Sequence, residues 1–82
     1  MELQYLLELL KQGTRVWNQW REEHPSVEIV LSGSNLAEMD LQEAHLEKLS
    51  LRGANLGGAN LSKAILASSD LMGSDFKKRR AR

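Results

Sequence analysis

The chain contains no cysteine, a single proline and only four aromatic residues among its 82. Without cysteine, neither a disulfide framework nor a thiolate metal site can reinforce the fold. A chain of this length builds one core at most, and a core of that size is marginal unless something strengthens it. Long apolar runs are missing as well. The longest near the start, Tyr5 to Leu10, is interrupted by Glu8 and follows an acidic residue. It is far short of the ~20 residues of a membrane span and has no basic region of the kind that opens a signal peptide. A soluble, cytoplasmic protein is expected. Chemistry is scarce too: there are two histidines, no Gly-rich phosphate loop and no nucleophile motif. The reading is therefore non-enzymatic, with no catalytic residue, no metal site and no cofactor.

Charge of one sign is absent only on average. Eleven basic and eleven acidic residues cancel, yet five of the basic ones, Lys77, Lys78, Arg79, Arg80 and Arg82, occupy the last six positions. The remaining body carries six basic against eleven acidic residues, a charge of −5. Body and tail are thus set up for different partners.

What is present divides into three segments. Residues 1–25 are rich in helix formers and end at Pro25. Within them Leu3, Leu6, Leu10, Gly13, Trp17 and Trp20 follow at steps of 3, 4, 3, 4 and 3, which draws one apolar stripe along a helix. Gly13 costs roughly 1 kcal/mol in a helix interior, a cost easier to accept if another backbone crosses closely there. A break into two helices at Gly13 is the open alternative.

Residues 26–76 follow another period. Leu31, Leu36, Leu41, Leu46, Leu51, Leu56, Leu61, Leu66, Leu71 and Phe76 recur at every fifth position. Five residues advance a helix by about 500°, and on a flat strand they put alternate leucines on opposite faces, so neither element buries all ten. The chain must turn once per repeat to return each leucine to a common axis. Two residues before the leucine stand small side chains: Ser34, Ala44, Ala54, Ala59, Ala64, Ser69 and Ser74. Immediately before it stand Asn35, Asp40, Asn55, Asn60, Asp70 and Asp75, types whose short polar groups bond to nearby backbone and favour turns. Gly33, Gly53 and Gly73 are spaced by twenty, which implies four repeats per coil and about two and a half coils. Coil would lie on coil at the inter-strand spacing of about 4.8 Å.

These residues resemble the pentapeptide-repeat family, whose unit is A(D/N)LXX. Ala54-Asn55-Leu56-Gly57-Gly58 and Ala59-Asn60-Leu61-Ser62-Lys63 match it at each defined position. The resemblance implies a β-solenoid, a right-handed quadrilateral β-helix of about 2.5 coils with an N-terminal α-helical cap. The leucine and the small residue before it would point inward. The stretch Leu10-Lys11-Gln12-Gly13, then Trp17-Asn18-Gln19-Trp20-Arg21-Glu22-Glu23-His24-Pro25, also resembles a leader of cyanobacterial repeat proteins that caps the first coil. Leu3, Leu6, Leu10, Trp17 and Trp20 would then form the cap, with the indole N–H groups bonded to first-coil carbonyls. The pattern is broken at Ile29, Met39 and Leu49, where a large residue takes the small position, and at Val30, His45, Ser50 and Ile65, where Asn or Asp is missing.

The expected function is a scaffold or adaptor that binds another protein. The candidate partner surface is Ile65, Met72, Leu71 and Phe76, since no helix follows to cover the last coil, and open coil ends invite a homodimer through the C-terminal coils or a docked partner. The alternative is an electrostatic anchor to nucleic acid or an anionic lipid surface through Lys77, Lys78, Arg79, Arg80 and Arg82. Without interleaved aromatics that tail offers little base stacking. A third reading, ranked low but above an enzyme, comes from relatives that imitate duplex DNA and bind topoisomerases. His45 is read as a surface histidine and the Asp residues as turn formers.

Overall fold

In the computed structural model, residues 3–77 are described. Two helices, α1 (Leu3–Lys11) and α2 (Thr14–Glu23), precede a region in which the chain returns on itself every twenty residues. The single apolar stripe is thus carried by two helices, as the alternative at Gly13 allowed. Gly13 takes φ +112°, a left-handed value that ends α1 and starts α2. No atom of another segment lies within 4 Å of where its Cβ would stand, so the glycine serves the bend and not the close crossing expected.

The five-residue period becomes a repeated turn. Ser34, Met39, Ala44, Ala54, Ala59, Ala64, Ser69 and Ser74 each donate a backbone N–H to the carbonyl of the residue three before, the leucine of the unit, at 3.0–3.2 Å. The third residue of each turn has positive φ, as in a type II turn. Glycine supplies it at Gly33, Gly53, Gly58 and Gly73, and Glu38, Glu43, Lys48, Lys63 and Ser68 adopt it at 60–62°. Outside each turn Asn35, Asp40, Asn55, Asn60, Asp70 and Asp75 accept the backbone N–H two residues on, at 2.9–3.2 Å. This is the turn-forming role read from the sequence.

Four such turns complete one coil. Parallel bridges join Val30 to Ser50, Asn35 to Asn55, Asp40 to Asn60, His45 to Ile65, Ser50 to Asp70 and Asn55 to Asp75, each a separation of twenty. Among the described residues no side reaches strand length, because the turn leaves a single bridged residue per repeat. Leucines 31, 36, 41, 46, 51 and 56 are completely enclosed, with Ala44, Ala54 and Ser34 beside them. Ser34 satisfies its buried hydroxyl by donating to the Leu31 carbonyl at 2.7 Å. Of the three large residues in a small position, Ile29 and Leu49 are buried in the same core as Leu6, Leu10, Trp17 and Trp20, and Met39 is partly buried against it.

A capped end and an open end

The coil has two ends, and they are treated differently. At the N-terminal end the first coil lacks a preceding chain to take its backbone groups. On the side around residue 45, α2 supplies the substitutes. Asn18 Oδ1 accepts the His45 N–H at 2.8 Å, and Trp17 Nε1–H donates to the His45 carbonyl at 2.9 Å. Asn18 Nδ2 donates to the Glu43 carbonyl at 3.0 Å, and Arg21 donates to the Glu47 carbonyl at 2.8 Å. Side chains of one helix thus take the place of a missing rung. Trp20 stacks between Trp17 and His24, at 5.8 and 4.7 Å between ring centres, and Tyr5 of α1 meets it edge-on.

Leu6, Leu10, Trp17 and Trp20 are buried, whereas Leu3 is 39 % exposed and takes no part in the core. It lies in the first turn of α1. Leu9, outside the stripe, is buried instead. Sequence reasoning missed Asn18 and Arg21, whose polar character concealed a role set by their place beside Trp17. His45, read as a surface residue, is half-buried, and its main chain is what the cap holds.

Beside this junction a cavity of about 290 Å³ is lined by Arg21, Glu22, Pro25, His45, Glu47 and Lys48. Arg21 and Glu47, 3.9 Å apart, bring opposite charges to its wall. Among the described residues no group of three His, Asp or Glu side chains could hold a metal ion. On the outer surface Arg52 pairs with Asp70. The Met72 N–H first, and the Arg52 guanidinium second, hold the Asp70 carboxyl below the ordinary carboxylate value.

The C-terminal end has no counterpart to the cap among the described residues. Burial falls along the stack: Leu61, Leu66 and Leu71 are only half-buried, and Phe76 is 49 % exposed. Ile65 and Met72, on the outside of the last rungs, are 43 % and 67 % exposed. The four residues proposed as a partner surface therefore all border one end. Backbone groups are open there too. Within the stack Leu41 N–H donates to Asn60 and Asn60 N–H donates to Met39, and the same pair of bonds links each rung to the next. On the last rungs the equivalent groups are the N–H of Leu61, Leu66 and Leu71 and the carbonyls of Ala59, Ala64 and Ser69. Among the described residues none of these is bonded.

Lys77 lies over Gly57, twenty residues before it, as the coil continues. Its N–H bonds to Asp75, and its carbonyl oxygen lies against Gly57, where a Cβ would overlap it. Lys78, Arg79, Arg80 and Arg82 lie outside the described residues.

The family model for pentapeptide repeats matches residues 30–66 and 40–77, with eight copies of the unit. The chain belongs to the pentapeptide-repeat family. The match covers the whole coiled region and stops short of α1 and α2. No curated protein and no solved structure gives a match to this pentapeptide-repeat chain. Among the described residues no helix is long and apolar enough to cross a membrane.

Proposed function

We propose that this pentapeptide-repeat protein is a non-enzymatic interaction module of the cytoplasm, folded as the right-handed quadrilateral β-helix of its family, which binds a protein at its C-terminal end. The observation that carries this reading is the difference between the two ends. One end is closed by Trp17, Asn18 and Arg21, and the other leaves half-buried leucines beside backbone groups that are unbonded among the described residues. Apolar surface rimmed by unpaired edges is the physical signature of a docking site. The outer polar side chains are occupied with turns, so they leave little for chemistry.

The test is affinity capture at about 0.5 M salt, where interactions between exposed charges are largely screened. The full chain is compared with an Ile65→Asp/Ala67→Asp variant, which places charge at the open end without touching the enclosed leucines. A protein retained by the first and lost by the second supports the reading. A second reading, anchoring by the basic residues at 77–82, rests on the concentration of five positive charges in six positions. It requires capture of an anionic partner that low salt allows, high salt abolishes and the Ile65→Asp/Ala67→Asp change leaves intact.

A further inference from the structure

The cap encloses the leucines of the first coil, but α2 takes up the backbone edge of that coil on one side only. Each side of a rung presents three groups to the rung before it: the N–H and carbonyl of the bridged residue and the carbonyl two residues on. In the second coil they are bonded to the first. On the side of Asn60, its N–H donates to the Met39 carbonyl at 3.0 Å, its carbonyl accepts from Leu41 at 2.8 Å, and the Ser62 carbonyl accepts from Glu43 at 2.9 Å. The first coil has no earlier rung, and at His45 and Glu47 the same three groups go to Asn18, Trp17 and Arg21.

The neighbouring sides have no such substitute. Among the described residues, the N–H groups of Asn35 and Asp40 and the carbonyls of Asn35, Ala37, Asp40 and Gln42 make no hydrogen bond. Exposure follows the same division. His45 and Glu47 are half-buried, whereas Asn35, Ala37, Asp40 and Gln42 are exposed. An unpaired edge of this kind is a template for another chain.

The chemistry of the edge selects its occupant. Four of its six open groups are acceptors, so it matches a partner rich in donors. Asp40 lies on it, Glu38 and Glu43 directly follow Ala37 and Gln42, and residues 28–43 contain no lysine or arginine. Positive charge is therefore favoured. The molecule already holds one contact of this type. Arg21 donates to the Glu47 carbonyl at 2.8 Å while the Glu47 carboxylate lies 3.9 Å from the same guanidinium nitrogen. Arginine suits the place because its rigid fork of donors can serve a carbonyl and a carboxylate together.

We infer that the edge from Asn35 to Gln42 is a second docking site, whose occupant is an arginine-bearing extended segment of a partner protein. The segment's backbone pairs with Asn35 or Asp40 as a further rung, and its guanidinium groups take the carbonyls of Ala37 and Gln42 with the carboxylates beside them. The site is separate from the C-terminal end and does not depend on what binds there. Leu31, Leu36 and Leu41 are already enclosed, so binding gains hydrogen bonds and charge with little apolar burial. Affinity is accordingly weak, with a Kd of about 0.1 to 1 mM at low salt.

The probe is a capped pentapeptide alternating arginine and valine, with citrulline in place of arginine as the uncharged control. Each is titrated into the full chain at about 50 mM salt and followed by amide NMR. In the free chain the Asn35 and Asp40 amides should exchange fast and the His45 amide slowly. The arginine peptide should slow both fast amides, shift residues 35–43, and bind about tenfold more tightly than the citrulline peptide, a preference lost at about 0.5 M salt. A Glu38→Gln/Asp40→Asn/Glu43→Gln variant should weaken binding about fivefold or more. It keeps the turn, since Asn35 and Asn60 make the same bond that Asp40 makes. The Ile65→Asp/Ala67→Asp variant should bind the peptide as the unaltered chain does, which keeps this site distinct from the C-terminal one. Protected Asn35 and Asp40 amides in the free chain, equal affinity for the two peptides, shifts centred elsewhere, or no binding below about 5 mM would each overturn the inference.

Discussion

Replacing Asn18 with leucine removes both bonds by which one side chain closes the first coil. The His45 N–H loses its acceptor at 2.8 Å and the Glu43 carbonyl its donor at 3.0 Å. A hydrogen bond of this kind contributes about 1 kcal/mol net, and more is lost when a partly buried donor is left unpaired. The expected destabilisation is about 2 kcal/mol, which for a domain of this size lowers Tm by roughly 8 to 16 °C. Urea unfolding gives the total, and amide exchange at His45 gives the local effect, since that N–H should lose most of its protection. The neighbouring Gln19→Leu change serves as control: Gln19 is exposed and reaches only Glu23, at 3.4 Å, so it should stay within about 0.5 kcal/mol. Equal losses for the two variants, or an unaltered His45 amide in Asn18→Leu, would show that α2 does not replace a rung.

Other consequences follow from the turns. Glu38, Lys48 and Ser68 hold φ near +60°, so Glu38→Gly, Lys48→Gly or Ser68→Gly should each stabilise the coil by about 0.5 kcal/mol in urea unfolding, relief of left-handed strain exceeding the entropy of the added glycine. The reverse change, Gly53→Ala, meets no atom within 4 Å yet should cost about 1 kcal/mol through φ alone. Gly57→Ala has no positive φ to oppose it but overlaps the Lys77 carbonyl, so its amide shifts should be largest at 75–77. Asp70 should titrate below its ordinary value in carboxyl NMR. Because its folded pKa is depressed, its contribution is present above the unfolded value of 3.8 and is lost as pH falls through the folded one. Arg52→Leu should raise that pKa only in part, since the Met72 N–H remains as the larger cause.

The coil was legible because its rule is local and repeated. Leucine at every fifth position, a small residue two before it and Asn or Asp one before it together require a turn per unit, and glycines twenty apart give the number of turns per coil. The bridges from Val30 to Ser50 through Asn55 to Asp75 have that spacing. The cap was legible only in outline. The stripe through Leu6, Leu10, Trp17 and Trp20 identifies a buried face, but a stripe cannot show that Gly13 bends the chain between two helices or that Leu3 stays exposed. Asn18 and Arg21 escaped because their roles depend on which carbonyls lie opposite, a long-range fact with no local pattern. Positive φ at Glu38, Glu43, Lys48, Lys63 and Ser68 escaped for the opposite reason: the repeat imposes it on residues that would not choose it.

The same economy is why the proposed binding is assigned to an end of the coil. In most units the Asn or Asp carbonyl or carboxyl oxygen accepts a local N–H, and the inward Ser34, Ser69 and Ser74 hydroxyls each donate to the carbonyl three residues before. Polar groups along the sides are thus consumed in making the turn. Leucines in the middle of the stack are enclosed by neighbours above and below, and those on the last rungs have a neighbour on one side only. Adding one more rung to the C-terminal end would therefore bury Leu61, Leu66 and Leu71 and occupy the open N–H and carbonyl groups together. Whatever binds there gains both terms at once, so affinity should fall with any change that keeps the leucines but charges the rim, and fall less with changes on the sides of the first coil.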